Sequence, residues 1–507
     1  MRNRIVGILM AAILLAIAFA PMTPMTVTFK DAKEENTEKA LGIKNPITHI
    51  KASSNYDFGR KLGDMFGKVY RELMTTRWGN FERLKTDEMQ FFAQAKRHAK
   101  MLEEYYPEFL ERMQGISDTT GIDLLELLAF EIFMPTIEAG CTTCAAAPPA
   151  TSDEKTYLGW NYDLLYPTKL MMTLPLFILV DIEGYNRYIT FGEPCLFLGA
   201  GVLNEKGLSM VLNIVDTEEL GDGLTFRELN NLAMERCSTV EEVVELLRSL
   251  PKLCSMMIFN CNSLWGDAQG GIVSIEYTHD RFVANYGENG ILASANNYQW
   301  LDWREVGGCG PTGKEGFESS WLRLERMWEL LREDYGSIDE GSIERFLSDH
   351  KNGPKVTVAG TEIGGHSSIC CHSYDMYEGW HGGTPNVIYY LLGGEGTCAS
   401  LIISPIDLVI WYCPGHPCRT PYAPIYFAKM FGIEGSSLEE PLEPLSPLTI
   451  ALNGWVHGVN GMLDLVPKEV KDMLGNLVLY IYRTLGLILI GEFPPHHFIP
   501  VSGFLKK

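Results

Sequence analysis

Basic charge is scarce in this chain: 42 Lys and Arg stand against 64 Asp and Glu in 507 residues, a formal charge of −22, with no cluster of five to eight Lys/Arg. Nucleic acid and anionic membrane surfaces need a cationic face, so neither is expected as a partner. Low-complexity tracts are absent, and 46% apolar with 11% aromatic residues excludes a disordered chain. Phosphate loops are missing: Gly364-Gly365, Gly382-Gly383 and Gly393-Gly394 are not followed by Gly-Lys-Ser/Thr and read as turns between strands. Metal spacing is missing too. Cys370-Cys371-His372 with His366 and His381 match neither C-x-x-C nor H-x-x-x-H, and no metal or other cofactor is expected.

What is present begins with Met1-Arg2-Asn3-Arg4 and an apolar run from Ile5 to Ala20, the form of a basic n-region before an h-region. Ala18-Phe19-Ala20 fits a small-residue cleavage site, whereas Pro21 directly after it does not. Two fates therefore stay open for residues 1–20, a removed signal peptide or a retained membrane anchor, the run being marginal for a full span. Either one places the protein outside the cytoplasm, secreted or tethered. Twelve cysteines suit an oxidising compartment, and Cys413 and Cys418, flanking Pro414-Gly415-His416-Pro417, are the expected local disulfide.

Length allows two to four domains. Residues 21–140 read as a helical pro-segment, with apolar positions at helical spacing from Tyr56 through Phe58, Leu62, Met65, Phe66, Val69 and Leu73. Ser117-Asp118-Thr119-Thr120-Gly121 reads as a turn before the helix at Leu124 to Phe133. From Thr156 short β-type runs take over, among them Tyr188-Phe191, Leu208-Leu212 and Ile272-Tyr277. Helices at Phe226–Cys237, Thr239–Ser249 and Ser319–Tyr335 interrupt them, Thr239 and Glu242 forming a capping-box pattern. Strands apolar on successive residues, bracketed by helix pairs, predict a layered α/β architecture with sheets buried on both faces over residues 141–421. Residues 422–507 form a Pro-rich extension ending in a hydrophobic helix, Leu477 to Ile490, which Arg483 marks as packed rather than spanning.

Chemistry concentrates at Glu138-Ala139-Gly140-Cys141-Thr142-Thr143-Cys144, which opens onto Gly159-Trp160-Asn161-Tyr162-Asp163. If the Gly140-Cys141 bond is cut, Cys141 carries a thiol and an α-amine on one residue. Their ordinary pKa values of about 8.5 and about 7.7 to 8.0 let them exchange a proton near neutral pH without a histidine. Gly140, lacking Cβ, can adopt a strained backbone that brings the thiol to its own carbonyl. A buried cysteine in a small-residue turn is the bland reading of the same residues. Thr142, Thr143 and Cys144 are the other nucleophile candidates, and none follows glycine.

Gly140-Cys141-Thr142-Thr143, Asn161-Tyr162-Asp163, Asn204-Glu205-Lys206-Gly207-Leu208, Ala295-Asn296-Asn297 and Pro414-Gly415-His416-Pro417-Cys418, in that order, resemble the acyl-CoA:6-aminopenicillanate acyltransferase family of the N-terminal-nucleophile hydrolases. The resemblance implies a four-layer αββα sandwich, a precursor self-cleaved between Gly140 and Cys141, and a pro-segment kept as small subunit. It also implies action on a small-molecule amide or thioester carbonyl. Carried over residue by residue, it makes Cys141 the nucleophile, Asp163 the carboxylate that orients the new amine, and Asn296 the oxyanion-hole amide. Asn297 stands where the family has histidine. Asn161 and Asn213 fall at substrate-facing positions, Asn213 reading equally as a strand-end turn residue. Many members place an arginine near the position of Cys371; its absence here turns attention to Arg323 and Arg326 on the Ser319–Tyr335 helix. A reading of another class is an exported, disulfide-stapled binding or structural protein on the same fold with Cys141 inert.

Overall fold

The computed structural model describes residues 47–84, 88–132, 139–165, 177–192, 199–254, 260–287, 289–308, 318–352, 356–358, 361–363, 367–371, 395–413, 416–418 and 421–432. The expected leader at 1–20, the strands at 196–198 and 387–392, and the helix at 477–490 lie outside them. Among the described residues no helix is long and apolar enough to cross a membrane.

After strand β1 (Ile47–Ala52), the N-terminal segment folds as helices α1 (Asn55–Leu84), α2 (Glu88–Tyr105), α3 (Pro107–Thr120) and α4 (Leu124–Glu131). Ser117 to Thr120 belong to the last turn of α3, correcting the turn expected there. Thr119 and Thr120 donate their hydroxyls back to Gly115 O and Ile116 O, while the Ser117 hydroxyl reaches forward to Ile122 O. Gly121 then ends it in the left-handed region at φ 72, which glycine adopts without Cβ strain. Asp123 caps the start of α4 by accepting from Leu125 N.

Strands β2 (Ala139–Ala146), β3 (Tyr157–Leu165), β4 (Phe177–Ile182), β5 (Tyr188–Phe191), β6 (Ala200–Asn204) and β7 (Leu208–Val215) follow. Then come α5 (Phe226–Arg236), α6 (Val240–Ser249), β8 (Asn260–Asp267), β9 (Ile272–Tyr277), β10 (Phe282–Tyr286) and β11 (Ile291–Ser294). Helices α7 (Glu318–Glu333) and α8 (Glu340–Leu347), the small β12 (Val356–Val358) and β13 (Thr361–Ile363) hairpin, β14 (Glu395–Ser404), β15 (Val409–Cys413), β16 (Ala423–Tyr426) and the short α9 (Phe427–Met430) complete the described chain.

One sheet runs β1-β4-β5-β6-β7-β8-β9-β10, antiparallel except for the β1–β4 pair, and the other runs β11-β2-β3-β14-β15-β16, antiparallel throughout. They pack face to face through β2, β3 and β11 against β7 and β8. Helices α5 and α6 cover the outer face of the first sheet, and α7 and α8 that of the second. This is the four-layer αββα sandwich that the resemblance implies. Strands β8 and β9 are buried at every residue because each lies between a helix layer and the opposite sheet, which explains their unbroken burial. Both Thr225 at α5 and Thr239 at α6 form capping boxes, with Glu228 and Glu242 reaching back.

The N-terminal helices dock on α5 through buried charge. Glu235 accepts from Arg112 (2.5 Å), Tyr188 (2.9 Å) and Tyr106 (2.8 Å), while Glu131 pairs with Arg227 at 2.9 Å and Glu228 with His98 at 2.8 Å. Cys413 and Cys418 are not joined by a disulfide, contrary to expectation. Cys413 is fixed in the ladder of β15 opposite Ser400, while the Cys418 thiol lies against that of Cys370.

Candidate active site

Strand β2 sorts its residues by alternation. Cys141 and Ala145 join the core between the sheets, whereas Cys144 and Ala146 join the core under α7 and α8. Cys141 and Cys144 thus face opposite ways. Gly159, opposite Cys144 in β3, keeps this crowded: a Cβ there would come within 2.8 Å of both the Cys144 sulfur and Ile343.

Strand β11 pairs with β2 only as far as Thr143 opposite Ser294, so no ladder partner reaches Cys141 on that side. Side chains serve instead. Cys141 N donates to Asn296 Oδ1 at 2.8 Å, and Cys141 O accepts from the Arg323 guanidinium, which α7 inserts into the site almost fully buried. Arg323 also donates to Thr142 Oγ1 at 2.8 Å and to Asn296 Oδ1 at 2.9 Å, with Nε on Ser319 Oγ at 3.3 Å. Two donors converge on one end of the Asn296 amide and Ile214 O meets the other at 2.9 Å, which fixes its orientation. One of its two Nδ2 hydrogens is therefore used on Ile214.

Asp163 lies opposite Gly140 in the β2–β3 register, with Oδ1 accepting from Thr397 Oγ1 at 2.6 Å and Oδ2 without a partner. Burial raises its pKa to about 6, against the pull of Arg323 and the Thr397 hydrogen bond. Burial and then the Asp163 charge push the Cys141 thiol up to about 12, with the Trp160 side chain, the Asp163 backbone and Arg323 acting the other way. Gly140 sits in the extended backbone of β2 rather than in a strained turn.

The remaining expected residues sort into two groups. Asn213 lies inside β7, not at its end. It donates to Thr143 Oγ1 (2.8 Å) and Asn262 Oδ1 (2.9 Å) on the Cys141 face and leaves its own Oδ1 without a partner. Asn161 faces the helix layer, where every polar atom of its side chain is used: Nδ2 on Leu347 O and Ile369 O at 2.8 Å each, Oδ1 on Ser400 Oγ at 2.5 Å. Arg326 is bound to Asp349 (2.9 Å) and Glu329 (2.8 Å), away from Cys141. Asn297 Oδ1 accepts from Ser320 Oγ at 2.6 Å and its Nδ2 has no partner.

Thr397, Ser319, Ser320 and Asn262 were missed in the sequence. The first three are ordinary hydroxyls far from the motif. Asn262 carried a signal, a polar amide inside a strand buried on both faces.

A family model described as acyl-coenzyme A:6-aminopenicillanic acid acyl-transferase matches residues 150–380, just under half of the chain; the match begins after Cys141 and includes Asp163, Asn213, Asn296 and Arg323. No protein of curated function matches. Among solved structures, a mutant of conjugated bile acid hydrolase from Clostridium perfringens is similar at 14% identity, over 57% of this chain and 93% of that one, with a TM-score of 0.33. Penicillin V acylase from Agrobacterium tumefaciens matches at 14% identity over 57% and 87%, with a TM-score of 0.33. The fold rests on the sheets and helices described above. Over residues 150–380 the chain carries the pattern of the acyl-coenzyme A:6-aminopenicillanic acid acyl-transferase family, the one its motifs resemble.

Proposed function

We propose that this chain is a self-processing N-terminal-cysteine amidohydrolase or acyltransferase that acts on a small linear amide or thioester. One observation carries the reading: both backbone polar groups of Cys141 are gripped by side chains, Asn296 and Arg323, instead of by a strand, with the Asp163 carboxylate across from Gly140. The nitrogen of the Gly140–Cys141 bond and the carbonyl of the next peptide are thereby fixed on either side of the thiol-bearing carbon.

In maturation the Cys141 sulfur adds to the Gly140 carbonyl carbon, and the carbon–nitrogen bond breaks as the nitrogen takes up the thiol proton. Water then cleaves the thioester, leaving a Gly140 carboxylate, a thiol and a free α-amine. In turnover the thiol attacks the substrate carbonyl and the amine, as general base, takes its proton and returns it to the leaving group. Water or a second amine releases the acyl group. Asp163 orients that amine and favours its charged form. Asn296 Oδ1, already on Cys141 N, holds it in place. The oxyanion amide falls to the Asn296–Asn297 pair, where Asn297 Nδ2 is the donor not otherwise engaged. The pro-segment stays as small subunit, and export through residues 1–20 belongs to the same reading.

The test is a screen of chromogenic amides, acyl-homoserine lactones and acyl-thioesters on cleaved protein, with the acylated peptide mapped by mass spectrometry. The acyl group is expected on the Cys141 sulfur. Turnover with the label elsewhere removes Cys141 as nucleophile; no turnover of any class by a protein that remains a single chain favours the inert scaffold.

A further inference from the structure

A second group of reactive side chains lies beside the site and has no part in the chemistry above. His350 follows α8, Cys370 lies in the 367–371 segment and Cys418 follows β15, and one ligand atom from each, the imidazole nitrogen and two thiol sulfurs, all lie within 4.8 Å of one another. Cys370 is fully buried; the other two are half-buried. Their stretches are braced. Cys370 N donates to Asp349 O at 3.0 Å, and Asn161 Nδ2 ties Leu347 O to Ile369 O. Arg326 holds Asp349 Oδ2 at 2.9 Å.

We propose that His350, Cys370 and Cys418 form a binding site for a borderline-soft divalent cation, Zn²⁺ by ligand type. One imidazole and two thiolates are a donor set that selects zinc over the hard, oxygen-seeking ions. Bonds of about 2.3 Å to sulfur and about 2.0 Å to nitrogen place tetrahedral donors roughly 3.5 to 3.8 Å apart, so side-chain shifts of about 1 Å close the group on an ion. Binding releases the two thiol protons and leaves the fourth position to water or a further donor. A Cys370–Cys418 disulfide is the competing outcome. It uses two of the three groups, whereas a cation takes all three, which is why the cation is favoured. Local spacing could not reveal this site, since its ligands come from three separate stretches.

The position suggests a purpose. One residue beyond Cys370, Cys371 exchanges two hydrogen bonds with Thr397, both 3.0 Å, and Thr397 Oγ1 is the donor that holds Asp163. The cation acts as a structural clasp behind the Asp163 support, independent of what Cys141 does.

Full-length protein, purified reduced and stripped with a chelator, is titrated with Co²⁺ as probe. The expected result is one ion per chain, with tetrahedral d–d bands and thiolate-to-cobalt charge transfer that Zn²⁺ displaces. Cys370→Ser and Cys418→Ser each lose most of the charge-transfer band, while Cys144→Ser, buried in a different core, keeps it. Should the serine variants misfold, wild type decides alone: zinc must raise its Tm. Absence of cobalt–thiolate bands in reduced wild type overturns the proposal, as does a Cys370–Cys418 disulfide that persists in place of metal uptake.

Discussion

The interface between the N-terminal helices and α5 and the surroundings of Cys141 are both buried and both polar, yet they differ in how completely their polar atoms are paired. At the interface Glu235 uses both oxygens on three donors, and Glu228 both on His98 and Thr225 N. Of the eight carboxylate oxygens of Glu108, Glu131, Glu228 and Glu235, two, Glu108 Oε2 and Glu131 Oε2, lack a partner. Around Cys141, Asp163 Oδ2, Asn213 Oδ1 and Asn297 Nδ2 all lack one. A buried polar group without a partner costs about 1 to 3 kcal/mol, so three in one cluster mark a place where stability is forgone. The first region holds the molecule together. The second keeps unpaired polar atoms around Cys141.

The contrast predicts opposite responses to deletion. Glu235→Ala strips Arg112 of its partner and leaves a buried guanidinium uncompensated, and such losses cost about 3 to 5 kcal/mol. Urea unfolding should show a drop of that order; a loss under about 1 kcal/mol would erase the distinction.

Asn296→Ala removes the acceptor that holds both Cys141 N and Arg323. On chains already cleaved it should lower kcat by about 10² to 10³ with KM changed much less, because it also takes away one amide donor of the proposed oxyanion pair, whose hydrogen bond strengthens as the oxyanion forms. Parental turnover by the cleaved variant would remove Asn296 from the site.

Asp163→Asn should stabilise. Its folded-state pKa is raised from 3.8 to about 6, so the folded chain binds the proton more tightly, and its stability is fully present below about pH 4 and falls as pH rises through 6. Compared in a Cys141→Ala background to keep both chains uncut, the asparagine variant should gain on the order of 1 to 3 kcal/mol at pH 8 and nothing at pH 3.5. In the chain with Cys141 intact, self-cleavage should quicken with pH through about 6 as Asp163 ionises and lose that step in Asp163→Asn. An Asp163→Asn chain less stable than its parent at pH 8 would place Asp163 with the saturated group.

Much of this was legible because the fold imposes periodicity. The boundaries of β5 and β9 match the apolar runs, and α6 starts at its capping box, since those patterns depend on neighbours in sequence. Strand β2 was not legible as a strand: Gly, Cys, Thr and Ala leave no alternation, and only its place beside β3 and β11 extends it. The motif was visible at Cys141, Asp163 and Asn296, and Arg323 could be named as a cation near them. What could not be read was how they are held. Thr397 reaches Asp163 from 234 positions away, and the shared grip of Asn296 and Arg323 on Cys141 arises only because β11 stops short.

The central claim is that the Cys141 peptide is held for cleavage by its own thiol. Intact-mass measurement of purified wild type and Cys141→Ala tests it most directly. Wild type should give two fragments that co-purify, the larger beginning at Cys141, and the variant a single chain. A wild type that stays whole, or a variant cut equally well between residues 140 and 141, would contradict it.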